Sequence, residues 1–519
     1  MTVPAPSSLR PEHPVARSLS QLAAEFGLDY RGNIDKLEVS GVSLSSSTVE
    51  PGDLYVGVPG RNAHGARFAR AAAERGAVAV LTDQAGAELA EQSGLPILIT
   101  PDARAALGQV AAWIFRTAED PATLFAVTGT NGKTSVVYLL AGILGQLGVV
   151  SGLSSTAERR IGNTAVTSSL TTPEASELHA LLARMREEEV RAIAIEVSAQ
   201  ALSRHRVDGL VFDVAGFTNL SHDHLDDYAA MEDYFQAKVG LFDPERARRG
   251  VVTIDTPWGA RLAQESRIPV TTLSTASDGA TPNDASWRMT VTEETIMHTA
   301  FRLEAPDGRT LTTRVPLLGA FMAANAALAI VMLVESGYDL DAIAHVLERD
   351  GGIDAYIPGR AERISGERGP VVFIDYGHTP DAFKRTLDAL RQVVTGRIIM
   401  VFGADGDRDT TKRADMGAIA VRGADAVVIT DFHPRSEDPA AIRAALIEGA
   451  RAAVPDAALY EVPDPRAGFR AALALAGDGD VVLYAGPGHE DYQEVNGVHI
   501  PYSAREDSRL ALREAGWLE

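Results

Sequence analysis

The stretch Leu124-Phe125-Ala126-Val127-Thr128-Gly129-Thr130-Asn131-Gly132-Lys133-Thr134 decides how the rest of this chain is read. An apolar strand runs into a glycine-punctuated turn, then a lysine and a hydroxyl, and Ser135 to Leu147 continue with helical character. Such a turn can hold nucleotide phosphates. Gly129 and Gly132 lack a Cβ, so the backbone can take dihedrals closed to other residues and bring its N–H groups close to phosphate oxygens. The helix opens with unpaired N–H groups and a dipole that favours anions. Lys133 can neutralise charge on the outer phosphates, and Thr134 can offer its hydroxyl to Mg²⁺. The general P-loop pattern asks for glycine five residues before Gly132, where this chain has Val127. Tight α/β packing is the plain alternative, but Gly-Lys-Thr at a strand-to-helix turn favours phosphate binding.

Working outward, 519 residues suggest about three domains at roughly 150 residues each. Apolar residues make up 45% and charged residues 23%, the profile of a soluble globular protein. The absence of cysteine excludes disulfides, a thiolate nucleophile and zinc–sulfur sites. A net charge of −22 argues against nucleic acid, whose phosphates it repels, so an anionic substrate needs local arginine and lysine clusters. Met1 to Phe26 carries four prolines and no apolar core of a signal peptide, and a cytoplasmic location is expected. Val315 to Val334 is uncharged and approaches the roughly 18 to 20 residues of a membrane span. Its alanine content, Pro316, Gly319 and a central Asn325 predict a buried soluble helix instead, with no membrane insertion.

Punctuation divides the chain into three α/β units: 1–118, 119–354 and 355–519. In the first, short apolar runs such as Ala77 to Leu81 and Pro96 to Ile99 alternate with alanine-rich helical stretches, and Glu119-Asp120-Pro121 marks a break. The P-loop strand opens the second, with further strands at Ala192 to Val197 and Val211 to Phe217. Trp287 to Pro316 reads as an inserted antiparallel piece. In the third, strands at Val371 to Asp375, Ile398 to Phe402, Ala426 to Thr430 and Asp480 to Ala485 alternate with helix-period segments, which predicts a doubly wound parallel sheet. Its polar, Gly-rich clusters fall just past the carboxyl ends of strands, where such sheets bind ligands.

Glu196 ends a buried apolar strand, where an unpaired carboxylate is costly unless it meets a cation or a hydrogen-bond network. His222-Asp223-His224 follows Phe217-Thr218-Asn219-Leu220, again just past a strand. Carboxylate with one imidazole suits Mg²⁺ beside phosphates better than zinc. Equally, Ser221 and Asp223 can cap a helix while the histidines stay solvated.

Taken in order, several motifs resemble the Mur ligases, and within them the MurE type. They are the P-loop, Thr171-Thr172-Pro173-Glu174, Glu196-Val197-Ser198, Phe217 to Asp226, Gln236-Ala237-Lys238, Gly359-Arg360, Asp375 to Asp381, Gly406-Asp407-Arg408-Asp409 and Gly488 to Tyr492. The resemblance runs from about Gly41 to Ser503. It implies an N-terminal uridine-nucleotide domain, a central P-loop ATPase domain with a parallel sheet, and a C-terminal Rossmann-like domain. The implied activity is ATP- and Mg²⁺-dependent addition of a diamino acid (lysine, ornithine or meso-diaminopimelate) to UDP-MurNAc-L-Ala-D-Glu through an acyl phosphate, by an enzyme expected to be a monomer. Folylpolyglutamate synthesis is a sister activity, and a non-catalytic, ligase-derived binding protein is the reading from another class.

By the same resemblance, Thr128 to Thr134, Asn325, Arg360 and Asp375 serve ATP. Thr134, Glu196, His224 and Lys238, the last carbamylated, serve metal, and Lys133, Lys238, His224, Glu196 and Arg360 carry catalysis. Leu44, Ser46, Arg61, Asn62 and Ala63 fall to the uridine pocket, and Thr171, Thr172, Ser198, Arg204 and Arg206 to the muramoyl dipeptide. Arg408, Phe432, His433, Arg435, Gly486 and Glu490 fall to the incoming amino acid. The chain departs from the family pattern at two places. Ser45-Ser46-Ser47 replaces Asp-Ser-Arg, and Phe432-His433-Pro434-Arg435 replaces the Asp-Asn-Pro-Arg of diaminopimelate enzymes, with Pro487 where lysine is common. Arg435 is expected to remain able to grip a distal carboxylate, or else to serve as a helix cap or in a surface ion pair.

Overall fold

A computed structural model describes residues 9–60, 62–162, 164–168, 170–222, 227–275 and 285–518. Among these, strands gather into three principal sheets and two small two-stranded ones. The N-terminal sheet has five strands, ordered Asp29–Arg31, Ile97–Ile99, Ala79–Thr82, Asp53–Gly57, Gly41–Ser43, with only the first antiparallel to its neighbour. Helix Ala103–Phe115, capped by Asp102 accepting from the N–H groups of Arg104 and Ala105, covers one face. Ala175, Ala180 and Ala183 of helix Ala175–Glu187 join the same core, so the first unit is packed directly onto the second.

The central sheet has eleven strands. Its parallel part runs Ser151–Ser154, Ala192–Glu196, Thr123–Thr128, Phe212–Phe217, Ala247–Thr253, Val270–Ser274 and the start of Trp287–Glu294. Alternation along one strand explains both covered faces. Phe125 and Val127 pack with helices Lys133–Gln146 and Ala320–Glu335, whereas Leu124 and Ala126 pack with helix Ala175–Glu187 on the opposite side. The antiparallel piece expected at 287–316 is present as Trp287–Glu294, Thr299–Glu304 and Thr310–Val315, and it extends the sheet rather than standing apart. The helix expected over 315–334 is shorter at its start: Val315 closes a strand, Gly319 at φ 100° turns the chain, and the helix is Ala320–Glu335. Its interior is buried, and among the described residues no helix is long and apolar enough to cross a membrane.

The C-terminal sheet runs Glu362–Arg363, Val371–Asp375, Val481–Ala485, Ile398–Phe402, Ala426–Ile429, Leu459–Glu461, parallel except at the first strand. Helices Pro380–Val393, Pro439–Ala453 and Pro465–Leu475 start alike, with Thr379, Asp438 or Asp464 as cap and proline in the first turn. Phe373 and Met400 face one helical layer and Val372 and Ile399 the other, as a doubly wound sheet requires. A hairpin, Tyr492–Val495 with Val498–Pro501, follows the last parallel strand.

Candidate active site

Strands Thr123–Thr128, Ala192–Glu196 and Phe212–Phe217 are parallel, so the P-loop, Glu196 and Thr218 emerge at one edge. Gly129 has φ 147°, and a Cβ there would stand 1.9 Å from Thr218 Oγ1. The loop is docked by the next segment: Thr130 N donates to Asn219 O at 2.9 Å, Asn131 N to Asn219 Oδ1 at 3.1 Å, and Thr218 Oγ1 to Asn131 O at 2.6 Å. Lys133 bends back over this loop, its Nζ donating to Gly129 O at 3.1 Å and Thr130 O at 2.8 Å. From the other side Lys238, 1% exposed, donates to Gly129 O at 2.9 Å, with its ammonium 4.3 Å from the Tyr234 ring centre. Two lysines thus flank one carbonyl of the phosphate-type loop.

Glu196 is buried, and its carboxylate accepts from Thr134 Oγ1 at 3.0 Å, Thr156 N at 2.8 Å and Thr156 Oγ1 at 3.1 Å. The same Thr134 hydroxyl accepts from Arg360 Nη2 at 2.8 Å, which brings a C-terminal guanidinium onto the central loop. Arg360 lies over the Tyr376 ring at 4.2 Å. Asp375 hangs this segment from the end of its strand by accepting from Ala361 N at 2.9 Å and Gly377 N at 3.0 Å, with Ala361 held in the left-handed region at φ 46°. A buried carboxylate beside a hydroxyl is an all-oxygen donor set, which fits a hard divalent cation next to phosphates. Among the described residues no group of three His, Cys, Asp or Glu is arranged to hold a metal. His224 lies outside the described residues, as does Arg61. Neighbouring His222 has its Nε2 3.8 Å from Asp409 Oδ2.

A cavity of about 460 Å³ opens beside the P-loop and reaches the carboxyl edge of the C-terminal sheet. Lys133, Thr134, Asn325 and Arg360 line one part, Thr171, Ser198, Arg204 and Arg206 another, and Arg408, His433 and Glu490 the far end. Thr172 sits behind the wall, donating through Oγ1 to Glu196 O at 2.7 Å and accepting from Ser198 N at 3.1 Å. Arg206 is positioned by Glu174 at 3.0 Å and Arg204 by Asp227 at 3.0 Å. The structure does not bring Leu44, Ser46, Asn62 and Ala63 to this cavity. Leu44 packs against the N-terminal core, and Ser45 and Ser47 share a hydroxyl bond of 2.8 Å across Ser46.

At the far end, Phe432 and His433 are buried and Gly486 turns at φ 112°. Arg435 lines this end of the cavity and is engaged in ion pairs. Its Nε donates to Glu494 Oε2 at 3.0 Å, and its Nη1 donates to Gly406 O at 2.7 Å and lies 3.2 Å from Asp405 Oδ1, so two carboxylates of the chain already face it. Thr156 sits in a loop with no sequence pattern of its own, and nothing in the motif that holds Tyr376 and Asp381 marks the part either plays. Asp381 accepts from Asn131 Nδ2 at 3.0 Å, a second bridge between the C-terminal unit and the P-loop.

Comparison with known proteins matches this architecture. Residues 38–113 match the Mur ligase family catalytic domain, 127–333 the Mur ligase middle domain, and 359–488 the Mur ligase glutamate ligase domain. The chain is 76% identical to the UDP-N-acetylmuramyl-tripeptide synthetase of Leifsonia xyli subsp. xyli, over 100% of both chains. It is 43% identical to the UDP-N-acetylmuramoyl-L-alanyl-D-glutamate–2,6-diaminopimelate ligase of Streptomyces coelicolor, over 99% of each. A solved structure of a UDP-N-acetylmuramoyl-L-alanyl-D-glutamate–2,6-diaminopimelate ligase superposes with a TM-score of 0.66 at 26% identity, covering 97% of this chain and 100% of that one. The chain belongs to the Mur ligase family and, within it, to the ATP-dependent ligases of the MurE type.

Proposed function

We propose that the chain joins a diamino acid to the side-chain carboxylate of D-glutamate in UDP-MurNAc-L-Ala-D-Glu, at the cost of ATP, as a cytoplasmic step of peptidoglycan precursor synthesis. In the first step a carboxylate oxygen attacks the γ-phosphorus, ADP leaves and an acyl phosphate forms. In the second the amine nitrogen attacks the acyl carbon, phosphate leaves, and the nitrogen loses a proton as the amide forms. Residues 1–118 are assigned to the uridine nucleotide, 119–354 to ATP, and 355–519 to the acceptor.

The observation that carries this reading is the contact of Arg360 with Thr134, 226 positions apart, at the mouth of the P-loop. Carboxylate and triphosphate repel one another, and Arg360 and Lys133 place positive charge where both must come together. Mg²⁺, when bound by Thr134 and Glu196, supplies Lewis-acid polarisation of the phosphoryl oxygens. The backbone N–H groups of Gly132 to Thr134, where the helix opens, are left to cradle phosphate, those of Thr130 and Asn131 being held by Asn219. Lys238, buried against the loop, is assigned the carbamate role of its family motif, and Arg206 and Arg204 the anionic groups of the dipeptide. Packing of the C-terminal unit over the loop shields the acyl phosphate from water.

A folylpolyglutamate reading leaves the five-stranded N-terminal sheet without a task, although the relatives match end to end across it. The test is amino-acid-dependent release of ADP and phosphate with purified UDP-MurNAc-L-Ala-D-Glu, the product being identified by mass. Absence of turnover with lysine, ornithine and meso-diaminopimelate alike would defeat the proposal, and binding without ATP cleavage would point to a non-catalytic relative.

A further inference from the structure

The acceptor end of the cavity departs most from the pattern of diaminopimelate enzymes, and its hydrogen bonds determine which charges face the ligand. Arg435 is held at φ 49° by backbone bonds, its N–H donating to Glu494 O at 3.0 Å and its carbonyl accepting from Asn496 N at 2.8 Å. This fixes its guanidinium between Glu494 and Asp405. Beside it, His433 Nδ1 accepts from Glu494 N at 2.8 Å, so the proton of the neutral ring resides on Nε2. That Nε2 donates to Glu490 Oε2 at 2.8 Å. Tyr376 keeps its proton, since burial raises its pKa well above the ordinary value, and its hydroxyl donates to Glu490 Oε1 at 3.4 Å. Glu490 is thereby held in one orientation on the cavity wall, each oxygen keeping a further lone pair for a ligand.

Among the described residues, Arg408 and Arg435 line this end together with the carboxylates Asp405 and Glu490, and Glu494 backs Arg435 as a third carboxylate. The distal end of diaminopimelate carries an ammonium and a carboxylate and is neutral overall, whereas that of lysine or ornithine is a bare cation. A second carboxylate would have to compete with Asp405 and Glu494 for Arg435 while lying near Glu490. We infer that Glu490, aimed by His433, is the specificity-determining acid for the distal ammonium, and that the pocket takes a basic amino acid without a second carboxylate in preference to meso-diaminopimelate. The inference rests on the ligase reading above and narrows its substrate. His433 is a positioning residue that acts through Glu490.

The test uses the full-length wild-type chain with ATP, UDP-MurNAc-L-Ala-D-Glu and, in turn, L-lysine, L-ornithine and meso-diaminopimelate, following phosphate release. The better of the two basic acceptors is expected to exceed meso-diaminopimelate in kcat/KM by about tenfold or more. Equal or better turnover of meso-diaminopimelate overturns the inference and leaves the ligase reading intact. No turnover with any acceptor overturns both. Glu490→Gln is expected to raise KM for the basic acceptor by about tenfold while the KM for ATP stays put. His433→Asn is expected to move the acceptor ratio in the same direction. A uniform loss across all acceptors, with the ratio unchanged in both variants, would mark the pair as merely structural and reject the proposal.

Discussion

Asn325 closes over the P-loop so tightly that a Cβ on Gly132 would stand 2.5 Å from its Oδ1. Gly132 also has φ 89°, a conformation in which side chains are strained. Gly132→Ala is therefore expected to cost about 1–3 kcal/mol of stability and to weaken binding of an ATP analogue. Adding Asn325→Ala removes the clash but not the strained dihedral, so urea unfolding should show partial recovery. Full recovery would mean that the dihedral carries no cost.

Arg360→Ala removes the donor to Thr134 and the cation over Tyr376. Steady-state phosphate release is expected to fall by about 10² to 10³ in kcat, with little change in the unfolding midpoint, because the lost charge is needed where charge develops in the reaction. Arg360→Lys should recover only part of this, since an ammonium cannot both reach the hydroxyl and lie flat on the ring. A fully active lysine variant would show that only net charge matters there.

Glu196→Gln leaves one oxygen to accept from Thr134 or Thr156 and sets an NH₂ group against the remaining donors. A loss of about 1–3 kcal/mol in stability is expected, with a raised Mg²⁺ requirement in the activity assay. An unchanged Mg²⁺ dependence would remove Glu196 from the cation site.

Lys238→Ala tests the assigned carbamate. The variant is expected to lose most activity and to regain part of it when a short-chain carboxylic acid is added to supply the missing anion. Unimpaired turnover of the variant would rule the carbamate out.

Acid should loosen the junction of the first two units. His179 is fully buried, its Nε2 donating to Asp208 O at 3.0 Å and its Nδ1 accepting from Thr117 Oγ1 at 2.7 Å. Burial lowers its pKa from 6.5 to about 4. The unfolded chain thus binds a proton at higher pH than the folded one. The stability this histidine contributes is complete above pH 6.5 and is lost as pH falls towards 4. Urea midpoints across that window should drop more steeply for the wild type than for His179→Gln, and parallel curves would disprove the assignment.

Strands Val371–Asp375 and Ile398–Phe402 coincide with their sequence-based bounds because each is an unbroken apolar run covered on both faces. The hairpin Tyr492–Val495 with Val498–Pro501 escaped notice for the opposite reason: its residues are half-buried or exposed throughout, so no alternation marks it. Yet this hairpin supplies Glu494, which decides what Arg435 can do. Glycines, Lys133 and Glu196 could be placed from local pattern. The contact of Thr156 with Glu196 could not, since it depends on strands Ser151–Ser154 and Ala192–Glu196 lying side by side although far apart in the chain. Arg435 illustrates the same limit, because a motif names the residue but not the partners that neutralise it.

The Asp375 carboxylate, at the end of its strand, accepts from the N–H of Ala361 beside Arg360, so the Arg360 turn is tied to the C-terminal sheet and its guanidinium travels with that sheet. Parting the lobes would strip the nucleotide mouth of a cation and wet it at once, and idle consumption of ATP would slow for as long as they stayed apart.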